Sequence, residues 1–107
     1  MLEILETVAS AKEVSFTVGK TWTTDGFFRT TRSKLEQRVL EGCITVEMEV
    51  ASLLAVAERR GIDFGQYLFA ADNLAASQWD HRGWTEAVDA QRQIFELAAE
   101  AALVLAN

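Results

Sequence analysis

The chain of 107 residues contains no proline, one cysteine and one histidine, and each scarcity closes off a class of protein. Average usage would give roughly five prolines at this length, so its helices must be stopped by other residues. A single cysteine, Cys43, rules out an internal disulfide framework and points to a reducing compartment. Set in an apolar run, it reads as a small buried hydrophobe. One histidine and one cysteine cannot build a His/Cys zinc cluster. No apolar run reaches the ~18 residues that would span a bilayer. The opening MLEILETVASAKE is acidic and lacks the cationic start of a signal peptide, so a cytoplasmic protein without a membrane partner is expected. Basic residues are outnumbered 10 to 16, for a net charge of −6. A nucleic-acid partner, which requires clustered Lys and Arg, is not expected. Arg29, Arg32 and Lys34 read as a solvated helix face.

Half the residues are hydrophobic and 24% are charged, which is globular composition. The length suits one domain, spanning 1–107, or a piece of one. No repeats, low-complexity tracts or linkers interrupt it.

Leu2, Ile4, Leu5, Val8 and Ala9 form a helical stripe over 2–11. Val14, Phe16 and Val18 then alternate with polar residues, predicting a strand over 14–22 closed by the turn Thr23-Thr24-Asp25-Gly26. Thr30 or Thr31 can cap a helix to about Glu41, with Leu35, Val39 and Leu40 facing inward and Gly42 ending it. The run Cys43-Ile44-Thr45-Val46 reads as a buried strand. It passes without a loop into a helical pattern of Met48, Leu53, Leu54, Val56 and Ala57, stopped by Gly61 after Arg59 and Arg60. A third strand is predicted over 66–71 and a polar loop over 75–83, in which Trp79 and Trp84 pin the segment and His81 is a surface residue. A final helix runs from Trp84 to about Leu105, its apolar face made by Val88, Ile94, Phe95, Leu97, Ala98, Ala101, Ala102 and Leu103.

Strands alternating with helices predict an α/β fold with a mostly parallel sheet. Parallel sheets bury both faces, and this chain has few helices to cover them. Either a truncated larger domain or a homo-oligomer, a dimer or higher, is therefore expected.

In open α/β sheets, ligands bind beyond the carboxyl ends of the strands. That rule selects Thr23 to Phe28, Glu47 to Glu49, and Asp72-Asn73. Each place holds an acid, and parallel strands would bring all three to one edge. Position alone favours plainer roles. Glu47 and Glu49 suit the positive end of a helix dipole, Asp72 suits a turn or helix cap, and Phe27 and Phe28 suit a core.

Val46-Glu47-Met48-Glu49, continuing Val50-Ala51-Ser52-Leu53-Leu54-Ala55-Val56-Ala57, resembles the VEMEAAALFAVA signature of the nucleoside phosphorylase family, purine nucleoside and uridine phosphorylase type. Thr23-Thr24-Asp25-Gly26-Phe27-Phe28-Arg29 resembles that family's (S/T)-(S/T)-D-x-F-Y-R segment, and Ala71-Asp72-Asn73-Leu74 its S-D-x-L segment. The three motifs fall in the family's order and cover nearly the whole chain, which is similar to the C-terminal portion of the domain. The resemblance implies a three-layer, truncated phosphorylase/hydrolase-like fold and cleavage of an N-glycosidic bond to base and ribose 1-phosphate. Phosphate would be a co-substrate, and no cofactor or metal is called for. By the same resemblance, Glu49 would accept hydrogen bonds from the ribose hydroxyls and Met48 would pack on the sugar. Glu47 would help close the pocket and Phe27 would stack on the base. Asp72 would act as general acid toward the departing base.

Ala71 and Phe28 replace the family's usual Ser and Tyr, each removing a hydroxyl. Asp72 leans toward purine nucleosides, whereas the WDHRGW segment resembles loops of uridine-phosphorylase-like members, so the base stays open. Members are roughly twice as long, and nothing here replaces their glycine-rich and arginine-based phosphate site. Phosphorolysis needs phosphate held by cations or backbone N–H groups, so the chain alone is expected to turn over little or no substrate. A nucleosidase of the same superfamily, or a non-catalytic nucleoside-binding or assembly module, is the alternative.

Overall fold

The computed structural model describes residues 1–26, 29–69 and 88–107. In chain order the elements are α1 (Leu2–Ala11), β1 (Lys20–Thr23), α2 (Arg32–Leu40), β2 (Cys43–Glu47), α3 (Val50–Arg60) and α4 (Val88–Ala106). They fall into two compact units, Thr17–Phe64 and Met1–Phe16 with Gly65–Asn107.

The Thr17–Phe64 unit carries the sheet. β1 and β2 pair in parallel, with Trp22 opposite Val46 and Thr23 opposite Glu47. The register slips between Lys20 and Thr21, so Ile44 has no partner in the ladder and lies 59% exposed. α2, the crossover between the strands, is capped by Thr31, whose hydroxyl accepts from the Lys34 amide at 3.2 Å. It ends at Gly42 (φ 88°), while the Lys20 ammonium donates to the Glu41 carbonyl at 3.0 Å, a cation at the negative end of the helix. α3 ends on left-handed Gly61, after which the Ile62 amide reaches back to the Ala57 carbonyl at 2.9 Å. Among the described residues of this unit, the buried hydrophobic side chains are Trp22, Val50 and Ala57.

The inward face of α2 differs from the expected one. Leu35 is half-buried, but Val39 is exposed and Leu40 is 88% exposed. Lys34 and Arg38, one turn apart, instead turn toward Trp22 and place their cations 6.0 and 5.5 Å from its ring. Two cations thus lie over the buried Trp22 ring, whereas two of the three aliphatic residues expected to face inward are exposed. In α3, likewise, Val50 and Ala57 are buried, while Leu53, Leu54 and Val56 are about half exposed.

The second unit is built on α1 and α4. Leu5 and Val8 pack against Leu97 and Ala101, with Met1, Ile4, Val14 and Tyr67 around them. Each large aliphatic side chain withdrawn from water contributes about 1.5–3 kcal/mol. The predicted helical stripe of α1 is borne out at Leu5, Val8 and Ala9, while Leu2 stays exposed. The seam of α4 is narrower than its apolar content suggests: Leu97 and Ala101 are buried, but Val88, Phe95 and Leu103 are exposed. Lys12 and Glu100 join the helices by an exposed ion pair at 2.6 Å.

Two strand expectations are corrected. The first strand spans Lys20–Thr23 and not 14–22. Val14 is spent on the helical core, since α1 ends with the Val14 amide bonded to the Ala9 carbonyl, and β2 offers only five residues to pair with. The third strand is not formed over 66–69. There Tyr67 packs on the α1–α4 core and donates to the Leu5 carbonyl at 2.6 Å. The rest of that stretch, 70–71, lies outside the described residues. Among the described residues the sheet has two strands and the fold is α/β. No described helix is long and apolar enough to cross a membrane.

Candidate functional site

Parallel pairing brings the carboxyl ends of β1 and β2 to the same edge, and the register sets Thr23 beside Glu47. The chain leaves β2 through Met48 and Glu49 and enters α3 at Val50. This changeover is stitched by hydrogen bonds. The Thr23 hydroxyl donates to one oxygen of the Glu47 carboxylate and accepts from the Ala51 amide at 3.0 Å. The other Glu47 oxygen accepts from the Glu49 and Val50 amides, both at 2.6 Å. The Thr24 amide donates to the Glu47 carbonyl at 2.9 Å, extending the parallel ladder past the last strand residue.

Three N–H groups at the start of α3, which no residue inside the helix can satisfy, are thus taken by Glu47 and Thr23. A carboxylate is well suited to this task, because its charge also meets the positive end of the helix dipole. Glu47 is half-buried, and its carboxylate is engaged on both oxygens. Thr24, also beside β2, is the buried polar residue among the described residues of the unit.

Met48 and Glu49 differ from Glu47. Met48 is 38% exposed and Glu49 is exposed. The Glu49 carboxylate receives one hydrogen bond, from the Met48 amide at 3.3 Å, and its carbonyl begins the helix by accepting from the Leu53 amide at 3.1 Å. Among the described residues no cation pairs with it. An acid held on a fixed backbone, with lone pairs still available to solvent, can accept from a pair of ligand hydroxyls. Asp25 is exposed on the neighbouring loop.

The structure therefore brings together Glu47, Met48 and Glu49 with the Thr23–Gly26 segment at one edge of the sheet. Phe27 and Asp72, and with them Phe28, Asn73, Trp79, His81 and Trp84, lie outside the described residues. Thr23 is the functional side chain that motif reading left in the background. Its signal lies in the parallel pairing, which sets the residue that ends β1 beside the residue that ends β2.

The carboxyl ends of adjacent parallel strands, where this polar cluster lies, are the place at which open α/β sheets bind their ligands. The sequence profile of the phosphorylase superfamily matches residues 1–106, and the chain belongs to that superfamily. The match supports nucleoside phosphorylase- or hydrolase-type function in general. Comparison with curated proteins and with solved structures finds no significant match.

Proposed function

We propose that this chain recognises a nucleoside at the carboxyl edge of β1 and β2 and serves N-glycosidic cleavage to base and ribose 1-phosphate. The observation that carries the reading is the contrast between two neighbouring acids. Glu47 is consumed by Thr23 and the amides of α3, whereas Glu49 keeps its carboxylate exposed on a backbone that Glu47 holds. A fixed carboxylate binds two vicinal hydroxyls at once, which is what a ribose presents.

In this reading Glu49 accepts from the ribose hydroxyls and Met48 packs on the sugar. Glu47 closes the floor of the pocket, Phe27 stacks on the base, and Asp72 protonates the base as it leaves. As the glycosidic bond breaks, the ribosyl group becomes cationic in character and the base gains electron density. A proton delivered to the base relieves that charge. Phosphate is the co-substrate and no cofactor takes part. The finer architecture is a three-layer, mostly parallel sheet.

The 107 residues carry no glycine-rich phosphate loop, so the proposal includes weak or absent phosphorolysis by this chain alone. It also includes self-association, supported by the exposure of Ile44, Leu53, Leu54 and Val56 around a two-stranded parallel sheet; a monomeric mass by light scattering would refute that part. The central test is calorimetry with inosine and uridine, paired with phosphate-dependent release of the free base, on the parent chain and Asp72→Asn. Binding of either nucleoside with little turnover is expected. If neither nucleoside binds, the reading falls. Rapid phosphate-dependent cleavage would overturn the expected impairment, and release of base without phosphate would favour the hydrolytic alternative.

A further inference from the structure

The Thr23 side chain links the end of β1 to the start of α3 through Glu47. Its single hydroxyl does two things at once, donating its hydrogen to the Glu47 carboxylate and accepting from the Ala51 amide at 3.0 Å. The donated bond occupies one carboxylate oxygen and so orients the other toward the Glu49 and Val50 amides, 2.6 Å away. The Met48–Glu49 dipeptide is consequently suspended between two fixed points, Glu47 in β2 and Val50 in α3. Among the described residues the Glu49 side chain takes part in one hydrogen bond, from the Met48 amide. The direction of the Glu49 carboxylate therefore depends on its backbone, and that backbone depends on Glu47.

We infer that Thr23 is a positioning residue for recognition of the sugar hydroxyls: through Glu47 it sets the backbone that aims the Glu49 carboxylate. The inference rests on the proposed role of Glu49 as acceptor for the ribose diol. It assigns Thr23 no contact with the ligand. What Thr23 controls is selectivity for a ligand that carries the vicinal hydroxyls over one that lacks them. Loss of a merely structural hydroxyl would weaken both ligands together.

The experiment compares inosine and uridine with their 2′,3′-dideoxy analogues by calorimetry on the full chain, its Thr23→Val and Thr23→Ser variants, and Glu47→Gln. Valine keeps the shape of threonine and removes the hydroxyl, whereas serine keeps the hydroxyl. The parent chain is expected to prefer the ribonucleoside by about tenfold or more, the size of a hydrogen-bond pair to a charged acceptor. Thr23→Val should reduce that preference to about twofold while leaving affinity for the dideoxy analogue within about twofold, and Thr23→Ser should restore it. Glu47→Gln, in which an NH2 donor replaces one of the two oxygens that accept from Thr23 on one side and from the helix N–H groups on the other, should lose the preference as Thr23→Val does. It supplies the same test should the valine variant fail to fold. A parent chain without preference would sink the Glu49 reading and this inference with it. A parent chain with the preference, retained in Thr23→Val or Glu47→Gln or lost in Thr23→Ser, would overturn the inference about Thr23 alone.

Discussion

The phenol of Tyr67 donates a 2.6 Å hydrogen bond to the backbone carbonyl of Leu5, tying the segment beyond Gly65 to α1. The contact is close-fitting on both sides: a Cβ on Gly65 would come within 2.9 Å of Met1 and 3.0 Å of Leu5. Tyr67→Phe keeps the ring in the helical core and removes the bond. A loss of about 1 kcal/mol is expected, which for a domain of this size lowers the thermal midpoint by roughly 4–8 °C. Thermal denaturation followed by circular dichroism would measure it, and an unchanged midpoint would show that the bond is idle.

The same tyrosine gives the protein an alkaline limit. Burial pushes the Tyr67 hydroxyl above its usual value of 10.0, because the charged phenolate is poorly solvated there. Above about pH 10 the unfolded chain gives up this proton before the folded one does, so stability falls as pH rises through that range toward the folded value. In Tyr67→Phe this contribution is gone. Its stability at neutral pH should be lower, but its decline as pH rises above about 10 should be shallower than that of the parent chain.

Glu13 sits in the left-handed region, at φ 55°. It terminates α1 in a motif that glycine usually serves: the Glu13 amide bonds the Ser10 carbonyl and the Val14 amide bonds the Ala9 carbonyl, both at 3.0 Å. A side chain in this conformation costs roughly 1–2 kcal/mol against glycine. Glu13→Gly is exposed, loses no described hydrogen bond of the side chain, and should raise stability by about 1 kcal/mol after the added entropy of the unfolded chain is counted. Urea denaturation would report it as a higher midpoint with an unchanged slope.

Trp22 and Arg38 supply a prediction for the sheet unit. The guanidinium lies 5.5 Å from the indole ring and also donates to Glu41 at 2.9 Å. Arg38→Met preserves the apolar stem and removes the cation, with an expected loss of about 0.5–1 kcal/mol from the ring contact. The bond from Arg38 holds the Glu41 carboxyl below its ordinary range. That contribution is present above the ordinary carboxylate range and is lost as pH falls through the lowered value. The variant should therefore show a shallower acid limb in a pH series of urea midpoints, and an acid limb identical to the parent's would contradict the pairing.

Helices were the most readable part of the chain. Their apolar spacing, the Thr31 cap and the stops at Gly42 and Gly61 are local signals, and α1, α2 and α3 form where those signals lie. β2 was equally plain from its β-branched run. The extent of β1 was not, because a strand is only as long as the partner it pairs with, and β2 has five residues. The inward face of α2 escaped an aliphatic reading because Trp22 is covered by cations. At the site, the motif marked Glu47, Met48 and Glu49 and implied a role for each, but it did not show the division between a Glu47 engaged on both oxygens and a Glu49 left exposed. That division depends on Thr23, 24 residues away in sequence, and on which backbone amides a carboxylate reaches.

The two glutamates of that site should separate in a single pair of variants. Glu47 holds the amides of Glu49 and Val50 on one oxygen and the hydroxyl of Thr23 on the other, so Glu47→Gln, which turns one of those oxygens into an NH2 donor, leaves one side of the bridge without its acceptor. A cap of this kind contributes about 1 kcal/mol, and the thermal midpoint should fall accordingly. Glu49 is exposed and receives one bond, from the adjacent Met48 amide, so Glu49→Gln should leave the midpoint within about 0.5 kcal/mol of the parent. Ligand binding should rank them differently. With the charge removed from the proposed sugar acceptor, Glu49→Gln should weaken ribonucleoside binding by about tenfold and the 2′,3′-dideoxy analogue by much less. Glu47→Gln should lose both stability and selectivity, because the carboxylate that builds the helix start is also the one that aims its neighbour. If Glu49→Gln destabilised the fold as much as Glu47→Gln and left selectivity intact, the acid would be a structural cap and the sugar would have to be recognised elsewhere.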